Sequence, residues 1–466
     1  MPRKIPRFIF SPPQEETRRK IPQKIPVGAA KNRPEWIQDI PVNNSIRDTT
    51  IRSCIPFSDA TNLGCLVLSP ADIMITAQNG SHSKLTTSTS EIISTKVPSN
   101  GAARFYGNTI SHQPKYILDS GWDIEIPDGY GLFVVQPINR PDVEINTGAQ
   151  LLGKKDTSKQ LPIQVPIDFR QSDLPIMIRA GTPLLQLVPI HMSDLAVGYD
   201  IRSCDDERKK RAFLDFAKDM SESFYSRYVH HPPPVAKINS PVESQDPTWD
   251  SNPPSEYPDS FKINGEKMTV EVFDILEDGS NYIVPADEII TDNYKRWLFE
   301  TLSIINEEQL ARRMISAMGA GYMQRLNDNV QISAIDQDNI RSKEQRNMNI
   351  IRSFDRKKMG GKNPFNSTAI VFIDNKYITK MPLGYSLFHS RPFNHYQTIW
   401  KSASGLASED IFTTPTTSPG FFFGEIGKNY QFKQGSPVTQ LIPIKREHLK
   451  TEFYINKSQA DMFNNT

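Results

Sequence analysis

The stretch Gly181-Thr-Pro-Leu-Leu-Gln-Leu-Val-Pro-Ile190 recurs 254 residues later as Gly435-Ser-Pro-Val-Thr-Gln-Leu-Ile-Pro-Ile444. Each copy begins with a Gly-x-Pro segment that is typical of a tight turn, and an apolar run of strand length follows it. Gln186 and Gln440 interrupt the two runs at the same place. Because a recurrent buried glutamine is usually a structural hydrogen bonder, we expect this pair to hold the fold rather than to perform chemistry.

Two shorter matches keep the order and the spacing of this repeat. Gly64 corresponds to Gly321 at an offset of 257, and Gly129 corresponds to Gly384 at an offset of 255. A period of this length exceeds the roughly 20–50 residues of a solenoid unit, so the sequence predicts a tandem duplication of one domain. The structural signature of the repeat comprises Gly64, Asp72, Gly129, Tyr130, Pro137, Asn139, Gly181, Gln186, Pro189, Gly321, Tyr322, Gly384, Tyr385, Pro392, Asn394, Gly435, Gln440 and Pro443.

The composition limits the class of protein. The chain has 466 residues, with 54 basic against 53 acidic side chains, so no chain-wide field favours direct binding to nucleic acid. No apolar run approaches the roughly 18–20 residues of a bilayer span, and we expect no membrane partner. The three cysteines are scattered, as in proteins of a reducing compartment. The 36 prolines favour short strands and turns over helical bundles.

Short apolar runs between Gly, Pro, Asn and Asp predict a fold that is mainly β with added helices, an α+β class. Helical periodicity predicts two of those helices over residues 291–305 and 306–318. Each final strand meets a proline, Pro189 or Pro443, and is therefore expected at a sheet edge. The predicted segments are an extended basic, Pro-rich arm (1–35), a first β domain (36–200), an amphipathic helix (201–230), a Pro-rich linker (231–260), a second, more diverged β domain (261–450) and a C-terminal tail (451–466).

Two of these segments are candidate interaction surfaces. The basic arm is a solvated tail, a strap onto a neighbouring subunit or, least favoured because aromatic residues for stacking are nearly absent, a segment that binds nucleic acid. Its candidate contacts are Arg3, Lys4, Arg7, Arg18, Arg19 and Lys20. The amphipathic helix presents an apolar stripe that is more often a packing face than a cofactor pocket, formed by Phe213, Phe216, Met220 and Phe224.

Motifs for catalysis and for metal binding are missing from the sequence. There is no nucleophile elbow, P-loop, zinc-peptidase motif or dinucleotide fingerprint, and no Cys/His cluster has zinc spacing. The eight histidines do not recur at equivalent positions of the two repeats. We therefore expect no catalytic, cofactor-binding or metal-binding residues, no cofactor, and no enzymatic activity.

Three motifs in order resemble the dUTPase and dCTP deaminase superfamily. They are Gly64-Cys-Leu with Asp72, then Ile126-Pro-Asp-Gly-Tyr-Gly-Leu-Phe133, then Gly181-Thr-Pro-Leu-Leu-Gln-Leu-Val188. The second repeat has the same skeleton from Gly321 to Ile444. The resemblance implies two tandem domains of the β-clip or distorted jelly-roll type, joined by the helix and the linker, in a family that is usually trimeric.

The chain differs from this superfamily in the two segments that carry the superfamily's catalytic and phosphate-contacting residues. The segment of the catalytic aspartate is replaced by residues 147–156 and 404–410, which leaves Asp156 or Asp410 as a displaced equivalent. The phosphate-contacting turn is replaced by Gln136-Pro-Ile-Asn139-Arg140-Pro and by Arg391-Pro-Phe-Asn394-His. The resemblance therefore implies the scaffold and not the hydrolysis of a nucleotide.

The first repeat also resembles uncharacterised proteins of tailed bacteriophages. The similarity runs through Thr50-Ile-Arg-Ser-Cys-Ile-Pro-Phe-Ser-Asp-Ala60, the segment of Gly64 and Asp72, Gly129-Tyr-Gly-Leu-Phe133 with Gln136-Pro-Ile-Asn-Arg-Pro141, and Ala180-Gly-Thr-Pro-Leu-Leu-Gln-Leu-Val-Pro-Ile190. It implies a viral protein that is made in the host cytoplasm and resides in the virion, with other virion proteins as partners. A homo-oligomer is expected, with a trimer-based ring as one form.

These observations lead to a hypothesis with two alternatives. The chain is expected to be a structural or assembly protein of a phage virion, associated with the capsid, a vertex or the neck, which binds its neighbours through the arm and the linker. The first alternative is a dUTPase-derived enzyme that binds or hydrolyses nucleotides. The second is a protein outside the virion that binds a host factor.

Overall fold

The computed structural model of the chain describes residues 5–13, 15–40, 50, 52, 54–78, 82–97, 115–140, 145–153, 161–168, 175–203, 237–242, 262–263, 266–267, 269–274, 283–326, 328–335, 340–344, 350–353, 368–374, 377–382, 384–395, 404–407, 414–415, 420–425, 427 and 429–456. We call residues 5–203 the first half and residues 262–456 the second half. Within the described residues, no helix is long and apolar enough to cross a bilayer.

The described strands and helices of the first half are short. They are β1 (Arg7–Ser11), α1 (Glu16–Arg19), β2 (Val27–Gly28), α2 (Glu35–Gln38), α3 (Ile55–Asn62), β3 (Cys65–Leu68), β4 (Ile73–Gln78), β5 (His82–Thr87), β6 (Ser94–Lys96), β7 (Tyr116–Glu125), β8 (Tyr130–Val135), β9 (Asn146–Thr147), β10 (Gln150–Gly153), β11 (Leu161–Asp168), β12 (Ile176–Ile178), β13 (Pro183–His191) and β14 (Gly198–Ser203).

The rest of the chain adds two longer helices. Its described elements are β15 (Lys237–Val242), β16 (Lys262–Ile263), β17 (Glu266–Lys267), β18 (Thr269–Asp274), β19 (Ile283–Pro285), α4 (Asp292–Ser303), α5 (Glu308–Met318), β20 (Tyr322–Arg325), β21 (Val330–Ala334), β22 (Ile340–Glu344), β23 (Ile350–Ser353), β24 (Thr368–Asp374), β25 (Tyr377–Lys380), β26 (Tyr385–Ser390), β27 (Gly405–Ala407), β28 (Thr414–Pro415), β29 (Gly420–Glu425), β30 (Asn429–Phe432), β31 (Pro437–Lys445) and β32 (Glu452–Asn456). The predicted class, mainly β with added helices, is confirmed.

The two longer helices follow from local sequence signals. The hydroxyl of Thr291 accepts a hydrogen bond from the backbone N–H of Tyr294 and caps α4. In α5, Leu310, Met314 and Ala317 recur at helical spacing and are fully buried. Both helices lie within the ranges that the periodicity predicts.

The two halves contain equivalent sheets. A five-stranded sheet of order β10-β8-β13-β3-β2 in the first half corresponds to β27-β26-β31-β20-β19 in the second. The three-stranded sheet β12-β4-β5 corresponds to β30-β21-β22 in the same way. The two five-stranded sheets meet in one apolar cluster, in which Phe133 and Val188 of the first half pack with Phe388 and Ile442 of the second. A separate, larger cluster fills the first half.

The halves also exchange their last strands. β14 follows β13 in the chain and pairs in parallel with β18. β18 also pairs with β25, the strand that directly precedes β26 of the second five-stranded sheet. In the same way, β32 follows β31 in the chain and pairs in parallel with β1. β1 pairs with β7 as β18 pairs with β25. Arg7 stands opposite Glu452, and Gly198 stands opposite Thr269. Each half is therefore completed by a strand of the other.

The predicted arm differs from the structure. The described part of residues 1–35 belongs to the first half, where β1 lies between β7 and β32 and β2 pairs with β3. Phe8 and Phe10 are fully buried in the core of the first half. Phe8 and Phe10 lie on the same face of β1, because successive side chains of a strand point to opposite faces, and the burial of these two aromatic rings holds the segment in place. The first half thus begins by residue 7 and not at residue 36.

The predicted tail and linker also differ in their described parts. The tail, 451–466, contains β32, whose Phe453 is fully buried and stacks on Phe8 with ring centroids 5.2 Å apart. The linker, 231–260, contains β15, which pairs in parallel with β32. Pro241 lies at the irregularity of this pairing, where a missing N–H is tolerated. The helix predicted for 201–230 lies outside the described residues, except for residues 201–203, which belong to β14.

The prolines of the final strands do not mark a sheet edge. β13 lies between β8 and β3, and β31 lies between β26 and β20. However, β3 pairs with β13 only as far as Leu187, and β20 pairs with β31 only as far as Leu441. Pro189 and Pro443 follow in the stretch that has a single neighbouring strand. The absent N–H therefore costs no ladder hydrogen bond.

Candidate functional site

The recurrent glutamines join each final strand to two other elements. The side-chain oxygen of Gln186 accepts from the backbone N–H of Ile138 at 2.8 Å, and its amide donates to the carbonyl of Leu63 at 2.6 Å. The same bonds recur in the second half between Gln440 and the backbones of Phe393 (2.9 Å) and Ala320 (2.7 Å). Both side chains are buried and their polar atoms are bonded, so these residues position the turn after the second strand of each sheet.

That turn carries a pair of asparagines that join the halves. Asn139 accepts from the backbone N–H of Ser404 (2.8 Å) and donates to its carbonyl (3.0 Å). Asn394 does the same with Ala149, at 2.7 and 2.9 Å. Both asparagines have a φ of 56°, a left-handed conformation that asparagine tolerates better than most residues. This reciprocal contact has the form of an isologous interface between two subunits.

A polar cluster lies where the turns after the two final strands meet. The carboxylate of Asp194 is fully buried and accepts from His448 Nδ1 at 3.0 Å and from the backbone N–H of Lys445 at 3.2 Å. The ring of His191 lies 4.3 Å from that of His448. Burial, and then the neighbouring His448, lower the pKa of His191. Since Asp194 and His448 hold equivalent positions in the two halves, this cluster is a further contact between them.

The inner face of the second five-stranded sheet is polar where that of the first is apolar. His389 stands opposite Leu441, and Gln324 stands opposite Thr439. All three polar side chains are at least nine-tenths buried, with exposed fractions of 7% for His389, 2% for Gln324 and 3% for Thr439. The equivalent residues of the first half are buried members of its apolar core, namely Val134, Val67 and Leu185.

Several polar atoms of this face are buried without a hydrogen-bond partner in the described part of the chain. They are Nδ1 of His389 and Oε1 of Gln324, and Nε2 of His395 is in the same state at the end of the following turn. Burial lowers the pKa of His389 to about 4 and that of His395 to about 4. Both imidazoles are therefore neutral at pH 7, and each retains a free ring nitrogen.

Arg391 lies between these two histidines in the chain, directly after β26. Desolvation lowers the pKa of its guanidinium to about 10, with no carboxylate among the causes. In the first half the equivalent residue is Gln136, whose amide donates to the carbonyl of Ile145 at 3.0 Å, a residue of the first core. The second half thus has a desolvated cation where the first has a hydrogen-bonded amide. We use the name polar face of the second half for His389 and Gln324 of the sheet together with Arg391 and His395 of the turn that follows β26.

The recurrent glycines allow two strands to approach closely. Gly64 has a φ of 63°, and a Cβ on it would lie 1.8 Å from the carbonyl oxygen of Leu187. Gly321 has a φ of 69°, and its Cβ would lie 2.3 Å from that of Leu441. No side chain fits at either position. These residues serve the backbone and place no chemical group in a site.

Asp72 and Tyr130 also have structural surroundings. Asp72 accepts from the backbone N–H of Ala180 at 2.8 Å and from Arg179 at 3.1 Å, and this backbone bond, followed by Arg179, lowers its pKa. The ring of Tyr130 packs edge-on against Phe8 and His191. Asp156 and Asp410, the displaced catalytic candidates, lie outside the described residues.

The candidate interaction residues of the N-terminal segment contact their own chain. Arg7 lies over the ring of Tyr454, 5.0 Å from its centroid. Arg18 forms ion pairs with Asp119 and Asp123, and Arg19 donates to the carbonyl of Pro13 at 2.9 Å. Lys20 is exposed. The other candidates lie outside the described residues: Arg3, Lys4, Phe213, Phe216, Met220 and Phe224.

In the sequence, Arg391 and His395 are visible only as part of the turn that replaces the phosphate-contacting one, and no motif indicates His389 or Gln324. The signal of the polar face was present in the repeat itself, because His389 aligns with Val134 and Arg391 aligns with Gln136 at the same offset of 255 that joins the recurrent glycines. A histidine in place of a core valine is a departure that only the comparison of the two repeats reveals.

Comparisons with known proteins give a likeness among the solved structures. No family model matches the chain, and no curated protein matches it. Among solved structures, the chain is similar to the 2'-deoxycytidine 5'-triphosphate deaminase from Agrobacterium tumefaciens, with a TM-score of 0.26 and 8% identity, over 82% of this chain and 86% of that chain. The expectation that the chain is not an enzyme is corrected by this finding, because the similar structure is an enzyme. The likeness assigns no reaction to the chain.

Proposed function

We propose that the second half binds a phosphorylated ligand of the nucleotide class at its polar face. The observation that carries this proposal is the desolvated guanidinium of Arg391, for which no carboxylate partner exists among the described residues. The side chain of Arg391 is half-buried, and a charge that is partly removed from water without a partner is unfavourable. A phosphate group would supply the missing anion, and guanidinium binds phosphate in a bidentate geometry.

The neighbouring groups fit the remainder of such a ligand. Each neutral imidazole of His389 and His395 has a free ring nitrogen, and Oε1 of Gln324 is a free acceptor. These groups bond the amino, imino or hydroxyl groups of a base or a sugar. The nucleotide class itself rests on the motifs that resemble the dUTPase and dCTP deaminase superfamily. In that case Asp156 or Asp410 is the candidate for a catalytic carboxylate.

Arg391→Gln tests this function, because it gives the second half the residue that the first half has at this position. Calorimetric titration of the full chain with dUTP, dCTP and inorganic phosphate, each with Mg²⁺, measures binding. We expect the wild-type chain to bind at least one nucleotide and Arg391→Gln to bind it about tenfold to a hundredfold more weakly, as expected for the loss of a charge-assisted bond.

Arg140→Gln is the matched control. Its guanidinium already donates to the carbonyl and the side chain of Asn32, at 3.0 and 3.1 Å, and the variant should bind as the wild type does. Equal weakening in both variants, or no binding by the wild type, would refute the proposal. If the bound nucleotide is turned over, Asp156→Ala or Asp410→Ala should abolish that turnover while binding persists.

The virion role is a second candidate, and the exchange of strands between the halves favours it. Strand exchange and reciprocal asparagine contacts are devices that join subunits, and tandem duplication of one ancestral domain explains why they occur within one chain. The partners would then be other virion proteins. Quantitative mass spectrometry of purified phage particles tests this role. Tens of copies per particle would support a structural component, and absence from the particle would refute it.

A further inference from the structure

The two exchanged strands, β32 and β14, differ in how many neighbouring strands they have. β32 lies between two parallel neighbours, β1 on one side and β15 on the other. β14 is its equivalent in the exchange, because it follows the final strand of its half and pairs in parallel with the first strand of the other half. Among the described strands, β14 has a neighbour on one side only, β18, and is the end strand of the sheet β14-β18-β25-β28.

We propose that the outer edge of β14 is a docking site for an extended segment of another protein, which adds to the sheet in parallel as β15 adds to β32. An unpaired strand edge presents a row of N–H and C=O groups, and such edges recognise extended peptides through main-chain hydrogen bonds. Since β15 pairs in parallel with β32, the strand equivalent to β14, we take the direction and the register of the docked segment from β15.

The register follows from the pairing of β15. Lys237, Ile238 and Asn239 stand opposite Glu452, Phe453 and Tyr454, whose equivalents in β14 are Gly198, Tyr199 and Asp200. Ile238 packs against the core of the first half. The docked segment therefore places an aliphatic residue opposite Tyr199 and polar residues on either side of it. The aliphatic side chain supplies specificity, and the backbone supplies most of the contact.

A peptide with the sequence of residues 235–244 is the probe for this edge. A fluorescent form of it is titrated into the full chain, and anisotropy measures its binding. A photoreactive side chain that is itself aliphatic, carrying a diazirine, replaces Ile238 in a second form of the peptide and reports the site by mass spectrometry. We expect saturable binding and cross-links to residues 198–203. A peptide with Ile238→Asp is the matched control and should bind about tenfold more weakly, because it no longer buries an aliphatic side chain.

Three outcomes would overturn the proposal. They are no binding, equal binding of the control peptide, and cross-links to residues 452–456, which would mean that the peptide displaces β15. Hydrogen exchange gives an independent readout, because docking at β14 protects amides of residues 198–203 and leaves those of 452–456, already in a strand with two neighbours, unchanged.

Discussion

At the scale of single residues, His389 and Val134 hold the same place in two equivalent sheets, and only the histidine binds a proton. Burial lowers the pKa of His389 to about 4, whereas the unfolded chain has a histidine pKa of about 6.5. Below about pH 6.5 the unfolded state binds more protons, so the free energy of unfolding falls as the pH falls. The wild-type chain therefore loses unfolding free energy between pH 8 and pH 5. We predict that His389→Val makes this loss smaller by about 2 kcal/mol, as measured by urea unfolding at pH 8 and at pH 5.

Other groups titrate in the same range, and the informative quantity is the difference between wild type and variant at each pH. His191, whose pKa is also lowered, remains in both proteins and cancels in this difference. An equal difference at pH 8 and pH 5 would show that His389 does not titrate as a buried imidazole.

At the scale of elements, the short strand β32 belongs to the core of the first half although the chain places it at the end of the second. Phe453 is fully buried and stacks on Phe8 and Phe10. We predict that Phe453→Ala lowers the free energy of unfolding by about 3–5 kcal/mol. Tyr454→Ala is the matched control on the opposite face of the strand and should cost less than about 1.5 kcal/mol. Similar losses in urea unfolding would contradict this placement of β32.

Local patterns predicted some elements and missed others for a physical reason. The cap at Thr291 and the spacing of Leu310, Met314 and Ala317 are encoded within one helix, so α4 and α5 were predictable. The sequence indicated an arm and a tail where the structure has β1 and β32, because a strand's neighbour at the other end of the chain leaves no trace in composition. The polar face was missed because it needs the register of three strands, which only the fold supplies.

At the scale of the whole molecule, the two halves form an internal dimer, since each is completed by a strand of the other. We predict that a protease site introduced between residues 243 and 261 can be cut without separating the halves. Native mass spectrometry of the cut protein should give the mass of the intact chain. The same protein in urea should give two fragments, which verifies the cut. Separate halves under native conditions would refute the internal dimer.

The pairing of β1 with β32 also sets an order of events during synthesis. β1 is synthesised long before β32, and until residue 456 is made the rings of Phe8 and Phe10 lack the ring of Phe453 that stacks on them. Contacts between residues so distant in sequence slow folding. While the second half is being synthesised, the edge of β1 that pairs with β32 therefore stays uncovered, and we expect a chaperone that binds nascent chains to shield it.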